Sequence, residues 1–265
     1  STFIEGHRDC NNYMLNIFHD WQAQGITSVL HEESGGYANN KKSLQGLAAK
    51  AEFEGVRIIS GVTVTGFSRD NHGTIKSVET DVGDIHCDYV VVAPGPWAKQ
   101  MWDMLEMPDT ISIKNPDTGI ISQDIPMWVY WSLQEGTLGV DPKLQQTNDG
   151  KMPPVIHVDT DEPLYSDADG SLITDKMWGI YYKPDFNFGG IQGGAAPFIV
   201  DKKADSVAVD PYGPESSEFI VGNDFSTMWV SALAHCQKRF SGTMAQYKNE
   251  PSGGIGAFTP DSFPV

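Results

Sequence analysis

Apolar positions in the first part of the chain alternate between helical and strand-like spacing. Cys10, Met14, Ile17, Phe18 and Trp21 recur at helical intervals, and Gly25 stands where such a helix would stop. Residues 26–40 are polar and glycine-bearing, through Ser34-Gly35-Gly36-Tyr37, and read as a loop. Leu44, Leu47, Ala48 and Ala51 share one face of a second helix that Gly55 closes. Val56-Arg57-Ile58-Ile59 reads as a short strand. Val62–Phe67 alternates with period two, Asn71-His72-Gly73 turns, and Thr74–Thr80 returns as its neighbour. The run Tyr89-Val90-Val91-Val92-Ala93 is apolar without a break, the pattern of a strand buried on both faces. Pro94-Gly95-Pro96 ends it, and a helix through Trp97, Met101, Trp102 and Leu105 follows.

Beyond about residue 108 the pattern changes to short alternating runs broken by proline and glycine: Pro126–Leu133, Pro154–Val158, Leu164–Tyr165, Leu172–Ile173 and Trp178–Tyr182. These predict an antiparallel sheet. One helix interrupts it, with Phe225, Met228, Trp229, Ala232, Cys236 and Phe240 on a single stripe. The expected fold is α+β: an α/β layer with an antiparallel insertion, then an antiparallel-sheet domain.

Composition narrows the function classes. The chain has 265 residues, 40% of them hydrophobic, enough to fill a sizeable core. Eighteen basic against thirty-five acidic residues leave a net charge of -17, which argues against nucleic acid as a partner. No apolar run approaches the length of a bilayer-spanning helix, so no membrane span is expected. Three widely spaced cysteines, Cys10, Cys87 and Cys236, fit a reducing, cytoplasmic setting better than a disulfide framework. There is no initiator Met, and Ser1 and Phe263-Pro264-Val265 read as cuts through a longer polypeptide.

Motifs for metal, hydrolytic or phosphate chemistry are weak. His31-Glu32-Glu33 places three possible ligands in a row, but adjacent positions do not converge on one ion. Asp167-Ala168-Asp169-Gly170 fits a hairpin turn, since Tyr165 would occupy the first ligand position of a calcium loop. His86-Cys87-Asp88 is divided by strand periodicity. No metal is expected. The sequence contains no Gly-x-Ser-x-Gly elbow and no Gly-x-Gly-x-x-Gly.

Several segments, in order, resemble the D-amino-acid oxidase / sarcosine oxidase-like superfamily of FAD-dependent oxidoreductases. Gly35-Gly36 precedes a helix ending in Ala51-x-x-x-Gly55-Val56; Gly83 and Asp88 mark a turn leading into Val90-Val91-Val92-Ala93-Pro94-Gly95-Pro96-Trp97. Gly179–Tyr182 and Gly190–Gly194 look like paired strands that roof a flavin, and Thr259-Pro260-Asp261-x-x-Pro264 resembles a late family signature. The resemblance implies FAD as cofactor. It also implies a partial FAD-binding domain over 1–107, a substrate domain over 108–250 and a return strand over 251–265. The phosphate-binding glycine loop would lie upstream of Ser1, and the last flavin-facing strand and helix downstream of Val265.

Carried over residue by residue, Val64 would face the adenine. Ala93, Pro94, Gly95 and Trp97 would form the turn near the diphosphate and ribose, where small residues allow close approach. Ordinary sheet and turn packing is the alternative at each. Tyr182 would be a substrate-pocket tyrosine, against the alternative of a buried sheet tyrosine. Gln192 stands where oxidases of the sarcosine branch carry a lysine near the flavin. A neutral amide there points to a dehydrogenase-type acceptor rather than oxygen. Ala196 replaces a family histidine, so the substrate does not transfer. Lys183 and Arg57 could meet a substrate carboxylate, though no motif places them. The expected reaction is oxidation of a C–N bond in an amino acid or in a secondary or tertiary amine, by hydride transfer to flavin. A hydroxy-acid-oxidising relative and a non-catalytic binding module remain open.

Overall fold

The computed structural model describes residues 1–35, 38–153, 155–187, 189–197 and 222–260. The chain divides into two compact units. The first gathers residues 1–36, 132–202 and 210–254; the second gathers 37–131, 203–209 and 255–265. Residues 1–36 thus join the large sheet and not the rest of the 1–107 segment, because their strands pair with strands from the middle of the chain.

The first unit holds β1 (Thr2–Glu5), α1 (His7–Ile17) and β2 (Ile26–Glu32). The second holds α2 (Asn40–Phe53), β3 (Val64–Arg69), β4 (Ile75–Thr80), β5 (Ile85–His86), α3 (Ala98–Met104), β6 (Thr110–Lys114) and β7 (Ile121–Pro126). The chain then passes through β8 (Val129–Leu138), β9 (Val155–Thr160), β10 (Leu164–Tyr165), β11 (Leu172–Thr174), β12 (Trp178–Asp185), β13 (Gly190–Pro197), α4 (Asn223–Cys236) and β14 (Tyr247–Phe258). Seven strands form one sheet in the order β1-β2-β9-β12-β13-β8-β14. The pairings from β1 through β8 are antiparallel.

One face of this sheet is the core. Ile26 and Val29 from β2, Ile156 and Val158 from β9, Trp178, Ile180 and Tyr182 from β12 and Ile191 from β13 pack with Cys10, Met14 and Phe18. Met228, Trp229, Ala232, Leu233 and Cys236 of α4 join the same cluster. The stripe expected on α4 is present as far as Cys236, where the helix ends; Phe240 is buried too, but in a separate 3-10 turn, and burial extends almost around the helix, taking in Val230, Ser231 and Ala234. A helix held on so many sides is fixed by packing rather than by propensity.

The structure corrects four sequence expectations. Residues 26–32 form a strand where a loop was expected: Ile26 and Val29 face the core, and the polar residues between them face away or sit at the edge of burial. The first helix stops at Ile17. Phe18 is already extended, and Trp21 makes an isolated bridge to Gln237. Val56–Ile59 forms no strand, and Ile58 and Ile59 are exposed. Most clearly, the Tyr89–Ala93 run is neither a strand nor buried: Tyr89 is 93% and Val91 91% exposed. An apolar run becomes a strand only when neighbours accept its backbone hydrogen bonds, and among the described residues this run has none.

Asn39 caps α2, its side chain accepting from the Lys42 amide at 3.0 Å, yet no residue of that helix is buried. Leu44 and Leu47, expected to share one face, are 66% and 67% exposed. Residues 167–170 close the β10–β11 hairpin, with Gly170 at positive φ, as their turn composition implied. No helix among the described residues is long and apolar enough to cross a membrane.

Candidate functional site

The second face of the seven-stranded sheet gathers a cluster of polar and charged side chains. Strand alternation sends Trp178, Ile180 and Tyr182 into the core and turns Tyr181 and Lys183 to the opposite side. In the β12–β13 register Tyr181 pairs with Gly194 and Lys183 with Gln192; in the β12–β9 register Tyr181 also pairs with His157. β13 meets β8 with Gln192 opposite Thr137, which places Glu135 two residues along on the same face. Four adjacent strands therefore present His157, Tyr181, Lys183, Gln192 and Glu135 side by side.

Glu135 is the hub. The Tyr181 hydroxyl donates to its Oε1 at 2.8 Å, the Gln192 side-chain amide donates to Oε2 at 3.3 Å, and Lys183 Nζ lies 4.0 Å from Oε1. The Lys183 side chain is only 11% exposed, so its ammonium is held largely away from water. His157 stacks on Tyr181 with ring centroids 5.9 Å apart and planes 27° from parallel. Its Nε2 lies 3.2 Å from Glu32, while Ser28 donates to Asp159 at 2.8 Å. Burial, then the Glu135 charge, push the Tyr181 phenol well above its usual range, so it stays protonated and remains a donor to that carboxylate.

Glycine makes room for this arrangement. A Cβ at Gly194 would sit 2.4 Å from the Gln134 carbonyl oxygen and 3.1 Å from the Tyr181 ring. A Cβ at Gly193 would meet the Tyr181 carbonyl oxygen at 2.0 Å. The glycine pair lets β13 lie close under the Tyr181 ring.

The structure separates the residues named from sequence. Gln192 is in the cluster. Tyr182 is not: it is fully buried on the core face, donates to Gln237 Oε1 at 2.8 Å, and burial holds its phenol well above the usual range. Its neighbour Tyr181 takes the exposed side because a strand reverses its side chains at every step. Val64 begins β3 opposite Thr80, half-buried, in the second unit. Ala93, Pro94, Gly95 and Trp97 also belong to that unit. Gly95 has φ 62° and opens a 3-10 turn through Trp97, and a Cβ there would meet nothing within 4 Å. Ala196 lies on β13 opposite Gly179. Asp261 and Pro264 of the late signature lie outside the described residues, as do Gly36 and Tyr37.

Sequence reasoning missed Tyr181, Glu135 and His157 and left Lys183 unplaced. The signal was present in the period-two reading of Trp178–Tyr182, which assigns 178, 180 and 182 to one face and 181 to the other. The triple His31-Glu32-Glu33 divides in the same way. His31 turns toward α1, its Nδ1 2.9 Å from the Tyr13 hydroxyl, and Glu32 turns toward His157. No group of three possible metal ligands converges among the described residues.

Residues 14–121 match the family model DAO, FAD dependent oxidoreductase. Over 66 residues the chain is 38% identical to the bifunctional protein ThiO/ThiG of Synechocystis sp., a stretch covering 25% of this chain and 10% of that protein. Among solved structures, L-proline dehydrogenase from P. horikoshii matches 86% of this chain and 46% of its own, with a TM-score of 0.50 at 19% identity. Glycine oxidase from Geobacillus kaustophilus matches 83% of this chain and 43% of its own, at a TM-score of 0.42 and 14% identity. The first likeness shows a shared fold of helices and antiparallel sheet. The chain spans less than half the length of these two solved structures.

Proposed function

We propose that this chain contributes to an FAD-dependent oxidoreductase that oxidises a C–N bond of a small amine or amino acid. The observation that carries the reading is the match of residues 14–121 to the FAD-dependent oxidoreductase family. The polar face of the first unit's sheet supports it, with the held Glu135 carboxylate and the Tyr181–His157 rings.

The residues on the second unit fit such a cofactor in part. Ala93 is small and exposed, Gly95 turns the backbone at positive φ, and the space beside its Cα is open, so a flat ring or a sugar could approach the main chain closely. Val64, Pro94 and Trp97 would line the same approach. A bound flavin would supply the hydride acceptor. This chain's own residues would do the rest. Tyr181, Gln192 and Lys183 hold Glu135 in one orientation, and Glu135 and the stacked rings orient a substrate on the sheet. Tyr182 anchors β12 from beneath.

Lys183 changes the reading of the electron acceptor. A lysine is missing at Gln192, but one stands directly across the strand pair on the same face. The neutral amide at 192 therefore does not leave the face without a cation, and oxygen stays open as acceptor beside a dehydrogenase-type partner.

The test is spectroscopic. The whole protein that carries this sequence, as isolated and after incubation with FAD, is expected to show the visible flavin bands, and this stretch alone to take up FAD weakly at best. Anaerobic addition of an amine substrate should bleach them. A protein that stays colourless and takes up no added FAD would favour a binding module on the same fold.

A further inference from the structure

Resting on that reading and narrowing it, the geometry points to Glu135 as the residue that selects the substrate. Its carboxylate receives the ammonium group of a cationic secondary or tertiary amine that carries no carboxylate beside the nitrogen.

Glu135 is preorganised for this. Tyr181 and Gln192 each donate to one of its oxygens, and Lys183 flanks the first, so the group is fixed before any ligand arrives. A carboxylate offers about four acceptor positions. The side chain keeps 33% of its surface open, which leaves room for a further donor. Beside it the stacked rings of Tyr181 and His157 present aromatic surface, which attracts methylated ammonium groups.

Charge on this face opposes the other candidate, an α-amino acid. Among the described residues Glu32, Glu135 and Asp159 stand on this face with two lysines, Lys183 beside Glu135 and Lys248 at the far end of β8, where it donates to the Gly189 carbonyl at 3.0 Å. A substrate carboxylate is best held by the fork of an arginine. The chain has four arginines, and none projects from this sheet. Arg8 lies on α1, Arg69 on β3, Arg57 outside any element, and Arg239 is bound to Asp20. A carboxylate placed next to Glu135 would meet like charge in a half-buried setting, where screening is weak.

Binding to the full chain can be followed by amide chemical-shift titration with a matched pair of probes, N-methylethylamine and N-methylalanine, which differ only by the carboxylate. The amine is expected to bind at least about tenfold more tightly. Glu135→Gln should abolish that preference and Glu135→Asp should retain it. If Glu135→Gln does not fold because Lys183 is left beside a neutral amide, the double variant Glu135→Gln/Lys183→Met removes the pair together and should likewise lose the preference. Equal or tighter binding of N-methylalanine overturns the inference. So does an amine affinity unchanged by loss of the Glu135 charge, and so does the absence of amine binding at millimolar concentration. Flavin uptake is read separately. A chain that takes up FAD but shows no amine preference sinks only this inference. One that prefers the amine without binding FAD sinks only the flavin reading.

Discussion

Tyr181 and Tyr182 are chemically identical and one bond apart in the chain, yet they differ in what surrounds them. Tyr182 spends its hydroxyl on Gln237 inside the core; Tyr181 spends its own on Glu135 on the open face. Tyr182→Phe removes the donor to a fully buried acceptor and should cost about 1–3 kcal/mol in urea unfolding. It should leave the amine preference at Glu135 intact. Gly194 offers the complementary test. Gly194→Ala drives a methyl group toward the Gln134 carbonyl and the Tyr181 ring, and should cost about 1–3 kcal/mol as overpacking. The Tyr181 ring resonances should shift with it. A fully stable Gly194→Ala protein with an unmoved Tyr181 would show that the close approach of β13 is not needed.

At the scale of elements, an ion pair fastens the segment after α1 to the turn after α4. Arg239 binds both oxygens of Asp20, with its Nε 2.7 Å from Oδ2, and also donates to the Leu144 and Gln146 carbonyls. Burial alone would raise the Asp20 pKa, but the hydrogen bonds and charge of Arg239 outweigh it, and the carboxyl is held below its ordinary 3.8. A depressed folded pKa means that the unfolded chain takes up the proton first. The pair's contribution is therefore complete above about pH 3.8 and is lost as the pH falls through the lower folded value. Asp20→Asn leaves a buried guanidinium without its counter-charge and should cost about 3–5 kcal/mol at neutral pH. The difference from wild type should shrink on acidification; a gap that does not close between pH 5 and pH 2, to order of magnitude, would count against the assignment.

The elements best read from sequence were those whose pattern and packing agree. α4 and the alternating β12 were legible because apolar residues recur at the period of the element and meet a core there. β2 was hidden by polar residues that belong to its second face, including Glu32, which meets His157. Tyr89–Ala93 misled in the opposite direction: its composition is that of a central strand, but pairing is a property of neighbours and no local pattern reports it. The hub of the candidate site was illegible for a related reason. Glu135 and Tyr181 are 46 residues apart, and only the register β12-β13-β8 brings them together.

For the molecule as a whole, these contrasts imply an uneven distribution of stability between the units. The first unit joins a seven-stranded sheet, the β10–β11 hairpin and two helices around one continuous core, with Trp178, Trp229, Tyr182 and Phe240 fully buried. The second contains a helix with no buried residue and a three-stranded and a two-stranded sheet. A fourteen-residue helix without a packed face is marginal in water, whatever its cap. Hydrogen exchange should therefore resolve the chain into two classes. Amides of β9, β12, β13 and α4 should exchange only through global unfolding, because opening them exposes the core. Amides of α2 should exchange orders of magnitude faster, despite the Asn39 cap. Added FAD gives the measurement a second use: if the Ala93–Trp97 turn receives the cofactor, protection should rise in the second unit first, by ligand linkage. Protection of α2 equal to that of α4 in the free chain would mean that the helix is covered and that the two units unfold as one.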